Sequence, residues 1–239
     1  MCGFAGLWAD PLLREEQARE LTANMRDALT PRGPDDAGLW ADRSAGFWLG
    51  HRRLSILDLS DEGHQPMTSP SGRYVIAYNG EVYNYRELRR NLEAQGRAPA
   101  WRGSSDTEVV LAAIDAWGLE PALQRFVGMF GFALWDTEER RLHLVRDRLG
   151  IKPLVYGRAG RSLVFGSTLT ALRAHPGFDV TIGQEALAAY LRFNYVPAPL
   201  TIHEQAQKLR AGTLVSFAGP NDPGTERVYW SAERVLTER

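Results

Sequence analysis

The chain of 239 residues contains one cysteine and five histidines, and neither charge is in excess, with 28 Lys+Arg against 29 Asp+Glu. A single cysteine excludes an intramolecular disulfide and any zinc site built on a cysteine cluster. A net charge of −1 and a pI of about 6.5 argue against a nucleic-acid module that tracks phosphates, which needs a basic excess. No uninterrupted apolar run is long enough to span a membrane, and no basic-then-apolar leader opens the chain. The expected compartment is the cytosol. Internal repeats, low-complexity segments and an interdomain linker are also missing. What is present is 44% hydrophobic residues, enough at this length to bury a core without staples or metals. The length prior gives one large domain or one and a half.

Residues 12–29 read as a helix with Glu15, Glu16 and Arg19 on a wet face and Leu21 and Met25 opposite. The Pro31–Asp36 stretch ends it, because two prolines and a glycine cannot continue a helix. Residues 47–58 and 73–78 read as strands, the second closing at an Asn79-Gly80 turn signal. Val82, Tyr85, Leu88 and Leu92 space as one helix face, closed at Gly96. Ser105 or Asp106 caps a further helix striped by Val110, Ala113, Ile114 and Trp117. Strands at 129–135, 141–146, 154–156 and 162–165 follow, then short helices near 169–174 and 184–193 and a strand at 213–217. Hairpin succession with helices in separate blocks predicts an α+β fold of mostly antiparallel sheets.

The one cysteine is residue 2. An initiator methionine before a small residue is commonly trimmed, which would leave Cys2 carrying a thiol and a free α-amine on the same residue. Model thiols titrate near 8.5 and α-amines near 7.7–8.0, so both are within reach of neutral pH. The amine can take the thiol proton and later return it to a leaving group, so no histidine is needed. The flank from Cys2 to Trp8 is small and apolar and reads as a buried strand, a suitable place to fix a nucleophile.

Other segments resist explanation as packing alone. Gly50-His51-Arg52-Arg53-Leu54-Ser55-Ile56-Leu57-Asp58 sets arginines in an apolar strand. Tyr78-Asn79-Gly80-Glu81 and Ser104-Ser105-Asp106-Thr107-Glu108 each have an ordinary reading, as a turn and as a helix cap. Together with Met1-Cys2-Gly3 they resemble the glutaminase domain of asparagine synthetases, class II glutamine amidotransferases of the N-terminal nucleophile hydrolase group. The likeness continues through Arg32-Gly33-Pro34-Asp35, Gly63-His64-Gln65-Pro66-Met67, Asn79-Gly80-Glu81-Val82-Tyr83-Asn84, Gly128-Met129-Phe130, the Arg146–Leu154 run and Tyr195-Val196-Pro197-Ala198-Pro199, in the family's order.

The resemblance implies two stacked, mostly antiparallel sheets flanked by helices, an αββα sandwich. It implies that residues 1–239 form a single amidotransferase domain with its core at about 1–217. Cys2 would attack the side-chain amide of L-glutamine, giving a thioester and ammonia. Asn79, through its side-chain amide, and Gly80, through its backbone N–H, would form the oxyanion hole. Arg53 would take the substrate carboxylate in a bidentate grip, ahead of its neighbour Arg52. Asp106 would pair with the ammonium, Glu81 would contact substrate, and Leu54, Ser55, Ile56 and Leu57 would line the pocket largely through backbone groups. His64 and the Arg146–Pro153 run are assigned to ordering loops and ion pairs, with Asp147 in a charge network between two arginines. Neither a metal nor a cofactor is expected in this chain.

Family members continue into a synthetase domain that uses ATP and Mg²⁺ to activate aspartate and opens with a Ser-Gly-Gly-x-Asp-Ser loop. No such loop occurs here, so the ammonia would pass to a missing domain or a separate acceptor subunit. Gly166-Ser167-Thr168 stands where relatives often have Ser-Glu, and His203-Glu204-Gln205-Ala206 replaces a more basic segment. Both lie towards the family's domain interface. The alternatives are the same glutaminase reaction feeding a sugar, peptide or antibiotic precursor, and a regulatory module without catalysis. The expected partners are glutamine and the acceptor, with a homodimer as an open assembly and no membrane or nucleic acid.

Overall fold

A computed structural model describes residues 1–55 and 60–237. Two six-stranded sheets stack face to face between layers of helix, and every strand pair is antiparallel. In chain order the strands are β1 (Gly3–Trp8), β2 (Asp36–Asp42), β3 (Phe47–Arg53), β4 (Met67–Thr68), β5 (Tyr74–Val82), β6 (Gly128–Asp136), β7 (Arg141–Arg146), β8 (Val155–Ala159), β9 (Ser162–Gly166), β10 (Ala206–Lys208), β11 (Thr213–Phe217) and β12 (Thr225–Val228). One sheet runs β10-β8-β9-β1-β3-β2 and the other β12-β11-β7-β6-β5-β4. Helices α1 (Glu15–Asp27), α2 (Tyr85–Ala94), α3 (Asp106–Trp117), α4 (Leu119–Arg125), α5 (Leu169–Arg173), α6 (Gln184–Phe193) and α7 (Ala232–Thr237) complete the chain. Two of them, α1 and α5, cover the first sheet, while α2, α3 and α4 pack as a block on the second.

Side chains alternate across a strand, so parity decides which layer each one enters. Phe4 and Trp8 of β1, Phe47 and Leu49 of β3, and Val75 and Ala77 of β5 all enter the layer between the sheets. There Trp135 stacks on Phe47 at 4.1 Å between centroids and meets Trp8 edge-on at 4.9 Å. Ala5 and Leu7 face α1 instead, and Tyr74, Ile76 and Tyr78 face α3. Continuing the inner parity brings Cys2, then His51 and Arg53, then Asn79 and Glu81, to one end of the same layer. The inner row is apolar for most of its length and polar at that end.

The expected architecture holds, with local corrections. The Asn79-Gly80 pair does not turn the chain. Strand β5 runs through it to Val82 because β6 pairs with it all the way, Asn79 with Gly131 and Gly80 with Phe130. Val82 therefore belongs to a strand, and α2 begins only at Tyr85. The stripe expected on α3 is instead a fully buried first two turns, from Asp106 to Ile114. Six short elements were not anticipated, namely β2, β4, α4, β10, β12 and α7. The predicted strand over 47–58 ends as β3 at Arg53, and Asp58 lies outside the described residues.

Candidate active site

A cavity of about 120 Å³ opens at the polar end of the inter-sheet layer. Its walls include Cys2, Arg53, Leu54, Asn79, Gly80, Glu81 and Asp106, together with Met1, Gly63, Gln65, Met129 and Lys152. Elements distant in sequence converge here: the start of β1, the end of β3, the last turn of β5, and the N-terminus of α3.

The Cys2 sulfur lies against the backbone of Leu54. The Leu54 N–H points at Sγ from 3.4 Å, and Sγ is 3.6 Å from the Leu54 carbonyl oxygen. Behind it, Arg32 donates from Nε to the Cys2 carbonyl at 3.1 Å, while one of its terminal nitrogens is buried without a partner. Burial pushes this guanidinium below its ordinary value, against the pull of the Cys2 sulfur.

The free edge of β5 explains the oxyanion geometry. Phe130, opposite Gly80, uses its own N–H and C=O on Asp147, at 3.1 and 2.8 Å. That rung is therefore not hydrogen-bonded between strands, and the N–H groups of residues 78, 80 and 82 face the open edge. Gln65 Oε1 takes the Tyr78 N–H at 2.7 Å, and Asp106 takes the Val82 N–H at 2.8 Å. The Gly80 N–H between them remains turned to the cavity. Beside it Asn79, only 1% exposed, holds its side-chain nitrogen without a partner among the described residues. Two adjacent donors thus stand without partners among the described residues in the cavity wall that also holds Cys2. Glycine is required at 80 because a Cβ would collide with the Met129 carbonyl and the Phe130 backbone.

His51 braces the same strand from the opposite sheet. Its Nε2 lies 2.9 Å from the Tyr78 carbonyl, which can only accept, so Nε2 carries the proton and the buried Nδ1 is bare. Complete burial pushes this imidazole down to about 4, with the hydrogen bond to Tyr78 working the other way.

Two charged side chains face the cavity from its other end. Arg53 donates to the Ser60 carbonyl at 2.8 Å and fits only because residue 63 is glycine, whose Cβ would strike the guanidinium. Ser105 caps α3 by accepting from Glu108 N–H at 3.3 Å. That leaves Asp106 in the first turn, where one carboxylate oxygen accepts from Tyr78 Oη at 2.9 Å and from Val82. Burial raises the Asp106 carboxyl above its ordinary value, despite the donors that oppose the shift.

Most of the residues marked in the sequence therefore meet in one place. Arg52 does not. Opposite parity sends it toward Gly33, to whose carbonyl it donates at 2.9 Å, and toward Asp27. Ser55 is not part of the cavity wall, and its N–H is turned to Asp35 at 2.8 Å. Ile56 and Leu57 lie outside the described residues. His64 pairs with Asp36 at 2.7 Å, in the ordering role expected. Asp147 sits in no ion pair among the described residues; it accepts from the backbone N–H groups of Phe130, Leu149, Ile151 and Lys152 instead. Arg32 and Gln65 carry no role at the sequence level, and Lys152 only the ordering role given to the Arg146–Pro153 run. All three fall inside recognised motifs, but spacing along the chain says nothing of their direction.

Residues 1–230 match the glutamine amidotransferase domain family. The chain belongs to that family. Among curated relatives, the glutamine-hydrolysing asparagine synthetase 1 of Bacillus subtilis is 37% identical over 233 residues, covering 97% of this chain and 36% of the relative. A putative glutamine-hydrolysing asparagine synthetase of Mycobacterium tuberculosis is 38% identical over 226 residues, covering 89% and 34%. The chain thus spans about a third of the length of these relatives. Among solved structures, the glutamine phosphoribosylpyrophosphate amidotransferase of Bacillus subtilis superposes with a TM-score of 0.69 at 20% identity, covering 95% of this chain and 49% of that one. That likeness establishes the fold, two stacked antiparallel sheets flanked by helices. Among the described residues of this amidotransferase domain, no helix is long and apolar enough to cross a membrane. No three His, Cys, Asp or Glu residues among them group to hold a metal ion.

Proposed function

We propose that this chain is a single amidotransferase domain that hydrolyses L-glutamine to glutamate and ammonia through Cys2, and that the ammonia serves ATP-dependent conversion of aspartate to asparagine. The observation that carries the reading is the pair of unpartnered donors, the Asn79 side chain and the Gly80 N–H, beside the Cys2 sulfur.

In this reading Arg53 grips the α-carboxylate and Asp106 takes the α-ammonium, with Glu81 beside it and Leu54 forming part of the wall. A cation at that place also offsets the burial that raises Asp106. The side-chain amide then lies at Cys2. Removal of Met1, itself part of the cavity wall, opens the cleft and frees the α-amine. The sulfur attacks the amide carbon while its proton passes to the amine. The oxygen becomes an oxyanion held by Asn79 and Gly80. The carbon–nitrogen bond breaks as the amine returns the proton, releasing ammonia and leaving a thioester. Water then attacks the thioester, giving glutamate and restoring the thiol.

The acceptor belongs to the two thirds of the relatives' length that this chain does not span, either continuous with it or as a separate subunit. ATP and magnesium would serve that portion. A cytosolic location and a homodimeric assembly belong to the same reading. Intact mass should show Met1 removed, and a glutamine-dependent ammonia assay should show release by the wild type and none by Cys2→Ala. Undiminished release by Cys2→Ala would eliminate the mechanism.

A further inference from the structure

Among the described residues of the cavity, Lys152 is the cation that makes no hydrogen bond or ion pair, as Glu81 is a carboxylate that makes none. Lys152 is 7% exposed. Its ammonium makes no hydrogen bond or ion pair with the described residues, and it is not among the sealed polar atoms either. The small exposed part therefore reaches the cavity that the residue lines. The backbone around it is fixed from both sides. Lys152 N–H donates to Asp147 Oδ2 at 2.9 Å, its carbonyl accepts from Arg146 Nε at 2.8 Å, and Pro153 follows. Its stem stands over the rung that carries the oxyanion donors: a Cβ on Gly131, the strand partner of Asn79, would lie 3.6 Å from Lys152 Cβ.

Holding a lysine this way sacrifices side-chain entropy and hydration without a compensating contact. A purely structural role gives no return for that. In the glutaminase reading Arg53 holds the substrate carboxylate and Asp106 and Glu81 face its ammonium, so the anion left for Lys152 lies at the amide end. Negative charge arises at the amide end only during reaction, on the Cys2 sulfur and then on the amide oxygen.

We propose that Lys152 is the cation against which this transient charge develops, lowering the barrier to attack while contributing little to substrate binding. The proposal rests on the glutaminase reading above. The other charged or titratable groups around the reacting centre are Arg32, Arg53, Tyr78, Glu81 and Asp106. Of these only Lys152 is a cation with no contact in the structure; Arg32 already holds the Cys2 carbonyl, and Arg53 the Ser60 carbonyl.

The single cysteine makes the test clean, since alkylation by iodoacetamide reports on Cys2 alone. In Lys152→Met, which keeps the stem, the pH of half-maximal alkylation rate should rise by about one unit. The kcat for glutamine should fall about tenfold, with KM within about twofold. Lys152→Arg, which keeps the charge, should restore most of both. Alkylation profiles that superimpose for wild type and Lys152→Met would overturn the proposal, and so would a raised KM with kcat intact, which would make Lys152 a ground-state ligand. Alkylation does not depend on turnover, so it decides the role of Lys152 even if the chain proved inactive on glutamine, an outcome that would sink the glutaminase reading instead.

Discussion

The layer between the two sheets has two ends built from the same strands, and they obey opposite rules. At one end, β1, β3, β5 and β6 contribute Trp8, Phe47, Val75 and Trp135, which fill space with rings and methyl groups and leave no polar atom unmet. At the other, the same strands supply Cys2, Arg53 and Asn79, and donors are left without acceptors inside the protein. Unsatisfied buried groups are destabilising. They persist here because the apolar end and the pairing of β5 with β6 hold the strands whatever happens at the rim. The lesson is a division of labour along each strand: the apolar stretch supplies rigidity, and the polar terminus uses that rigidity to keep reactive groups apart from one another and open to a ligand. His51 marks the border, a polar side chain buried as deeply as the aromatics.

This contrast can be broken or sharpened by experiment. Trp135→Ala should cost about 3–5 kcal/mol of stability by urea unfolding; a loss below about 1 kcal/mol would mean the apolar end is not the anchor. Asn79→Ala should lower kcat about 10²–10³-fold, equivalent to about 2.7–4 kcal/mol. Its unfolding midpoint should stay put or rise, because a buried donor without a partner is removed. The border residue should show itself in pH. His51 is held near 4 when folded against an ordinary value of 6.5, so the unfolded chain binds the extra proton first. Its stabilising contribution is complete above about 6.5 and is lost as pH falls toward 4, a loss of roughly 3 kcal/mol. His51→Gln should flatten that slope. The carboxyls that arginine or histidine partners hold low against the effect of burial, Asp27, Asp36 and Asp136, keep their stabilising contribution above about 3.8 and lose it only as pH falls below that. The smallest effect is expected from Gly63→Ala, whose new methyl displaces the Arg53 guanidinium. It should raise KM for glutamine about tenfold, or 1.4 kcal/mol, with kcat nearly unchanged; an unaltered KM would remove Arg53 from the substrate.

Much of the fold was legible because alternation and helical spacing are local signals. Strands β1, β3, β6, β7, β9 and β11 and helices α1 to α3 follow from them, with ends displaced by a few residues. The elements that escaped are short or weakly patterned. In β2, only Gly38 is buried, and the strand exists because β3 offers it a ladder along seven residues. The Asn79-Gly80 pair shows the stronger failure. Taken locally it signals a turn, yet nine consecutive pairings with β6 outweigh that preference, and the N–H central to the site results from the override.

Hairpin succession and helical spacing were enough to determine an α+β fold of mostly antiparallel sheets, and the resemblance carried by the motifs marked which side chains carry chemistry, because residue type and period are written along the chain. Direction and company were decided in three dimensions. Arg53 faces the cavity while Arg52 does not, Asp147 gathers backbone N–H groups in place of arginines, and Lys152 arrives beside Asn79 only through the loop that Asp147 organises. These outcomes depend on which strand lies across from which, and they come into being only when separate strands and loops are brought into register.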